Sequence, residues 1–334
     1  MTISRRALLG SAVLAAGSSL SMGRIHIAKA ENVTKFPSRR VRIIAPFSAG
    51  GPADMLCRRL GAAMAAEWNQ TVFIENRVGA GGVIGTEVVS SSPPDGYTLG
   101  MVVPGVIIQQ FISKVSLDVV RDLTPISLVV QNPKCVVVNA NVPAKTLAEL
   151  IDLVRKDPVR FGSYGTSGFG SRAHIAMAVV NDMAKTKFTH VPYRGGSAVI
   201  PDLISGQVPV GVLDLGSIFS QMGTGKIRVI AVTGLKRLQR MPDVPTVAEL
   251  FPGFQALEWY GLVGPAGLPS DIVNKINGTV KNWIRSPDAE AFSKTFGIEQ
   301  IGSSPEEFKK FVVSEKADFL KVINRLNLKG EGSR

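Results

Sequence analysis

Short apolar runs of strand length alternate along the chain with longer stretches in which apolar residues recur every three or four positions, the mark of strands followed by helices. Residues 41–68 show this first. Residues 41–47 are apolar and β-branched, as a buried strand requires, and from Met55 onward Leu56, Leu60, Met64 and Trp68 fall on one helical face. Between them lie Ser48, Ala49, Gly50, Gly51, Pro52, Ala53 and Asp54. Small residues let a ligand reach the backbone, and the unpaired N–H groups of a helix's first turn favour an anion. No side chain in this turn suits chemistry on a phosphate or an acyl group. The pattern therefore predicts a cradle for a small anion, with most of the chain as its scaffold.

The same grammar repeats. Residues 70–76, 97–103 and 123–131 read as further strands, the last ended by Asn132 and Pro133. Strands alternating with helices predict an α/β fold with parallel pairing. From Cys135 a second unit begins: Thr146 and Glu149 have capping-box spacing, Pro158 closes that helix, and residues 160–164 read as a strand. They run into Gly165, Thr166, Ser167, Gly168, Phe169, Gly170, Ser171, Arg172, Ala173 and His174, which open a helix reaching Met183. This is a second strand, glycine turn and helix start. Residues 188–193, 207–213 and 226–233 predict strands, residues 197–205 a helix stopped by Gly206, and Thr246 with Glu249 another capping box. Residues 254–263 return the chain to the first unit, because the remainder is helical. There Ser270 and Ser304 are the expected N-caps, with Pro305 at the first helical position and Glu307 completing a third box. Two crossings divide the chain into residues 31–131 plus 258–334 and residues 132–257, and imply a hinge above a cleft.

At 334 residues, 45% hydrophobic and 19% charged, the chain is globular and long enough for two domains. Its formal charge is +12, but Lys and Arg are scattered rather than gathered on one element, which argues against nucleic acid as a partner. Residues 1–30 have the zones of an export signal. Arg5 and Arg6 before Ala7, Leu8 and Leu9 look like a twin-arginine motif, a mildly apolar run follows, and Ala28, Lys29 and Ala30 fit the small-x-small rule for cleavage after Ala30. That run is too short and too rich in Gly and Ser for a membrane anchor. Arg5, Arg6, Arg24 and Lys29 belong to the leader, so the remainder carries about +8. The expected location is the periplasm. That compartment permits a disulfide, yet the separation of Cys57 and Cys135 in the expected topology favours two buried free thiols.

Catalytic and cofactor motifs fail when counted. The glycine pattern from Gly79 has Ile84 where G-x-G-x-x-G needs glycine; Gly168, Gly170 and Ala173 meet the looser form but lack an acidic residue about 20 places on. Residues 165–169 break G-x-S-x-G at the last place. His174 and His190 read as structural residues, and without clustered carboxylates they make no metal site. No cofactor is expected. Asp54 reads as a helix-start residue whose charge would repel a carboxylate aimed at it. Asp214 admits two readings, a contact to a ligand hydroxyl or ammonium and a cap for a helix near Ser217. Tyr193 suits either the cleft or the core. Arg172 either grips a second carboxylate with its planar fork or pairs with a surface acid.

Several short motifs stand in a shared order: Arg42 to Gly51; Glu75, Asn76, Arg77, then Gly79 to Gly82; Pro94 to Leu99; Tyr164, Gly165, Gly168, Gly170, Ser171 and His174; His190 to Gly196; Gly206 to Val208; and Pro242 to Thr246. With them, residues 36–328 resemble the extracytoplasmic solute receptors of the tripartite tricarboxylate transporter family, the Bug receptors. Val78, Pro209 and the pair Arg172 and Ala173 depart from that family's pattern. The resemblance implies an α/β, two-lobed periplasmic binding fold of the type II-like flytrap kind, with two mainly parallel sheets and a hinge. It also implies a carboxylate held between the two glycine turns. The expected contacts are Phe47, Ser48, Ala49, Gly50, Gly51 and Asp54 from the first turn, Thr166, Ser167, Gly168, Phe169, Gly170, Ser171, Arg172 and His174 from the second, and Tyr193 and Asp214. Such a receptor, a monomer, hands its di-, tricarboxylate or aromatic acid unchanged to membrane transporter subunits, or presents it to a sensor. The alternative is an exported α/β enzyme acting on a small organic acid, which the missing nucleophile–base pair disfavours.

Overall fold

The computed structural model describes residues 36–328, so the expected twin-arginine leader and its cleavage site lie outside the described residues. Within them the strands are β1 (Val41–Ala45), β2 (Val72–Asn76), β3 (Thr98–Val102), β4 (Leu123–Asn139), β5 (Ser163–Thr166), β6 (Thr189–Pro192), β7 (Val210–Asp214), β8 (Ile227–Val232), β9 (Leu257–Pro265) and β10 (Glu299–Gln300). They follow the order β2-β1-β3-β9-β4-β7-β5-β6, with β8 and β10 also pairing with β4. The outer pairings, β1 with β2 and β3, and β5 with β6 and β7, are parallel. Every pairing made by β4 or β9 is antiparallel.

One strand belongs to both sheets. The first part of β4 pairs with β9 as far as Pro133 opposite Leu257, and from Lys134 the same strand pairs with β7, and from Cys135 with β8. The break expected at Asn132 and Pro133 therefore does not occur. Proline cannot donate to a ladder, but Pro133 sits at the seam where β4 changes partners, a position at which a missing donor is tolerated. The two sheets sharing this strand are those of a two-lobed α/β fold.

The helices are α1 (Pro52–Trp68), α2 (Val83–Ser90), α3 (Pro104–Ile112), α4 (Leu147–Lys156), α5 (Pro158–Phe161), α6 (Arg172–Ala184), α7 (Ile200–Ser205), α8 (Leu215–Ile218), α9 (Val247–Leu250), α10 (Ser270–Ile284), α11 (Pro287–Phe296) and α12 (Pro305–Leu326). Side chains alternate across β4: Val136 and Val138 join Val210, Leu150 and Met177 in one core, while Cys135 and Val137 join Leu213, Val199 and Ile218 in another. A sheet covered on both faces needs apolar residues at nearly every position, which is why these strands read as unbroken hydrophobic runs. In the first lobe Ile43, Leu56, Leu60, Leu99, Trp259 and Phe308 share one core.

Local signals mostly set the helix starts. Thr246 and Ser304 each form a complete capping box, whereas Thr146 caps α4 but Glu149 accepts from the Lys145 N–H at 2.6 Å instead of closing the box. Such caps contribute about 1 kcal/mol each. Two expectations shift. Asp157 caps α5 by accepting from the Arg160 N–H, which delays the strand expected at residues 160–164 to Ser163. Ser270 is the first residue of α10 rather than its cap, because Pro269 takes the extended conformation one place earlier. Cys57 and Cys135 are free and buried; burial pushes the Cys135 thiol up to about 12, so neither is poised to react. Among the described residues no helix is long and apolar enough to cross a membrane.

Candidate functional site

The first glycine turn opens onto a cavity. Gly51 is the N-cap of α1 and Pro52 its first residue, so the N–H groups of Ala53 and Asp54 have no acceptor inside the helix. Gly50 stands at φ +79°, a conformation natural to glycine, and a side chain there would meet nothing within 4 Å. The Asp54 carboxylate turns back into its own turn: it accepts from the Gly50 N–H at 3.0 Å, from Arg58 at 2.8 and 2.9 Å, and from Asn76 at 2.9 Å. Burial alone would raise its pKa, but Arg58, the Gly50 N–H and Asn76 outweigh burial and hold it low. Asp54 thus fixes the shape of the turn and leaves the helix's first N–H groups to the cavity. Asn76 also donates to the Phe47 carbonyl at 2.8 Å, tying the entrance of the turn to β2.

Strand register builds the opposite wall. Lys134 lies opposite Asp214, and Asn132 opposite Glu258, while residues two apart on a strand share a face. Lys134, Asp214 and Glu258 therefore converge although they are far apart in sequence. The Lys134 Nζ lies 2.9 Å from both Asp214 oxygens and 2.6 Å from Glu258 Oε2, with the three side chains only 3, 9 and 7% exposed. Asn132 Nδ2 donates to Asp214 Oδ1 at 2.7 Å. Burial works against the Lys134 ammonium, but the two carboxylates more than compensate and keep it charged. Burial pushes Glu258 up, Lys134 offsets this only partly, and Asp214 adds to the rise. Tyr260, opposite Val130, brings a phenol to the same wall; burial and then the carboxylates of Asp214 and Glu258 push its pKa well above the usual range, so it stays a donor.

The second turn behaves differently. Gly168 (φ +142°) and Gly170 (φ +72°) need glycine, but Gln109 of α3 donates to the Phe169 carbonyl at 2.7 Å. Thr166 is buried and bonds the ring of His190 at 2.7 Å; His190 stacks on His174 at 4.2 Å, and Gly170 N–H donates to His174 Nδ1 at 3.3 Å. Burial lowers His174 to about 4, and burial with His174 lowers His190 to about 3, so both rings are neutral. Ser171 caps α6 through the His174 N–H. Arg172 points to α12 rather than into the cleft: its guanidinium sits 4.8 Å over the Phe319 ring and 4.0 Å from Glu315, because the first turn of α6 packs beside α12. The Tyr193 hydroxyl donates to Asp202 at 2.6 Å and its ring packs in the core behind β7.

The cavity measures about 290 Å³. Of the residues singled out in sequence, it brings together Phe47, Ser48, Gly51, Ser167 and Asp214. Ala49, Gly50, Asp54, Thr166, Gly168, Phe169, Gly170, Ser171, Arg172, His174 and Tyr193 do not line it. The reading of Asp214 as a helix cap gives way, since its side chain caps nothing and binds Lys134. Unforeseen wall residues are Lys134, Glu258, Tyr260 and the loop from Arg194 to Ala198. A charged residue inside an otherwise apolar strand, as at Lys134 and Glu258, is the signal that marks them. Ser48 Oγ reaches across to the Arg194 carbonyl at 3.4 Å, so the two lobes meet at the cavity mouth. A larger groove of about 700 Å³, bordered by Arg59, Glu67 and Asn282, shares no residue with either glycine turn. Among the described residues no group of His, Cys, Asp and Glu is placed to hold a metal ion.

The fold has counterparts in solved structures. An R. palustris protein solved with adipate is 31% identical, with a TM-score of 0.83 over 87% of this chain and 98% of its own. MatC from Rhodopseudomonas palustris, solved with malate, is 28% identical, with a TM-score of 0.80 over 86% of this chain and all of its own, 100%. Among sequences, a protein encoded in the tcbD–tcbE intergenic region of a Pseudomonas species is 31% identical over 96% of this chain and 94% of its own length, and BugT of Bordetella pertussis is 27% identical over 91% and 94%. The model of the tripartite tricarboxylate transporter family receptor matches residues 56–328, from within α1 to the end of the described chain. Fold and sequence agree, and the chain belongs to the tripartite tricarboxylate transporter receptor family.

Proposed function

We propose that this protein is an exported receptor that closes its two lobes on a small carboxylate and passes it, unchanged, to the membrane subunits of a tripartite tricarboxylate transporter. The observation that carries this reading is the start of α1, whose unpaired first-turn N–H groups open into a cavity closed from the other lobe by residues 194–198. The adipate and malate of the two structural relatives are carboxylates of a size that such a cavity accommodates. On this reading Phe47, Ser48, Gly51 and Ser167 surround the carboxylate, residues 31–131 plus 258–334 form one lobe and residues 132–257 the other. The leader at residues 1–30 delivers the chain to the periplasm as a monomer. A panel of mono-, di- and tricarboxylates tests the reading by thermal unfolding: a true ligand at a hundred times Kd adds about 2.7 kcal/mol of stability and is recovered chemically intact. Consumption of the acid would instead support the enzyme reading.

A further inference from the structure

The wall formed by Lys134, Asp214 and Glu258 is short of hydrogen-bond donors. An ammonium has three N–H groups, and three carboxylate oxygens already stand around the Lys134 Nζ, two of Asp214 at 2.9 Å and one of Glu258 at 2.6 Å. None of these N–H groups is left for an incoming carboxylate, which would find only the Tyr260 hydroxyl on this wall. Acceptors, by contrast, are in excess: each carboxylate offers about four lone-pair sites, and Asn132 Oδ1, beside Asp214, is buried without a partner. Charge points the same way. Two buried acids face one buried base; Arg172 has its guanidinium 4.0 Å from Glu315 on α12 and its Nε buried without a partner, and it does not line the cavity. Arg194 stands at the exposed mouth, beside the turn at Ser48.

We propose that the ligand is bipolar: a carboxylate at the α1 end and, at the Asp214 and Glu258 end, a hydrogen-bond donor, above all an ammonium. This deepens the carboxylate-receptor reading and rests on it. A second carboxylate would bring negative charge and more acceptors against a wall that has both in excess, an arrangement that costs affinity unless a proton is added. An ammonium, or the NH₂ of an amide, supplies what the wall lacks, with Tyr260 remaining as a donor for an amide carbonyl.

The test is calorimetric titration of the wild-type protein with two series of matched length: succinate, succinamate, γ-aminobutyrate and butyrate, and adipate, its monoamide, ω-aminohexanoate and hexanoate. The expected result is that in at least one series the amino or amide member binds about tenfold or more tighter than the diacid, a difference of about 1.4 kcal/mol. Glu258→Gln, which leaves the Lys134 and Asp214 pair neutral, is expected to erase that preference. A diacid that binds as tightly as its amino and amide counterparts in both series overturns the proposal and leaves the carboxylate receptor standing. Binding by no member of either series overturns the proposal, and the carboxylate-receptor reading falls with it only if the mono-, di- and tricarboxylate panel is empty as well. Should Glu258→Gln fold and keep the full preference, the wall is not its source and the proposal fails.

Discussion

The two glycine turns are siblings in sequence and opposites in the folded protein. Each follows a strand and opens a helix, and each depends on glycines with positive φ. At Gly50 and Gly51 the space beyond the backbone is open: a side chain at Gly50 would meet nothing, and one at Gly51 only the Ser48 carbonyl at 3.4 Å. A Cβ at Gly170 would lie 2.6 Å from Gln109 Nε2 and 2.7 Å from Ile112 Cδ1. Glycine thus records that something approaches the backbone closely without recording what does so. At the first turn that space is left open; at the second it is taken up by Gln109 and Ile112 of α3.

Acid should separate the two turns most widely. His174 and His190 are held neutral in the fold, at about 4 and about 3, against an ordinary value of 6.5. Below 6.5 the unfolded chain therefore binds protons that the folded chain refuses. Stability is complete above that pH and falls as pH drops towards 4, by up to about 1.4 kcal/mol per pH unit for each ring. The first turn rests on Asp54, whose pKa lies below its ordinary 3.8, so its contribution is lost only in stronger acid. Denaturant midpoints measured from pH 7 down to pH 4 should decline steadily, and a flat profile would break the contrast.

Placing the same side chain in both turns sharpens it further. Gly170→Leu forces a left-handed leucine against Gln109 and should cost about 3 kcal/mol of stability by urea unfolding. Gly51→Leu, at φ −81°, should change stability by less than about 1 kcal/mol yet lower affinity for the best acid of the panel by about a hundredfold, about 2.7 kcal/mol. Equal effects of the two leucines on binding would restore the symmetry that the sequence suggests. The smallest effect belongs to Ser171→Ala, which removes the cap of α6 and should cost about 1 kcal/mol of stability with affinity unchanged in the same titration.

Much of the architecture was legible because it depends on local chemistry. The strand, glycine turn and helix at residues 41–68, the capping residues Thr246 and Ser304, and the two α/β units are all written within a few neighbouring residues. What escaped depends on register. Lys134 meets Asp214 only because of the alignment of β4 with β7, and Asn132 meets Glu258 only because of the alignment of β4 with β9. No spacing along the chain contains those pairings. Arg172 admits either the cleft or an acidic partner from its place after the second turn, and α12, more than a hundred residues later, packs beside α6 and puts Glu315 4.0 Å and the Phe319 ring 4.8 Å from its guanidinium. Pro133 looked like a stop signal and is instead the seam of a continuous strand.

The position of β9 bears on the order in which the protein assembles. It lies between β3 and β4, yet comes from residues 257–265, after all the strands of the second sheet have been made. During synthesis β5, β6, β7 and β8 can close on the later half of β4 while its earlier half still lacks the neighbour that will join it to β3. The sheet that begins first is therefore completed last, and until β9 arrives it exposes two unpaired strand edges of the sort that invite pairing with another chain. The topology thus leaves β3 and the earlier half of β4 without their shared neighbour until residue 265 has been made.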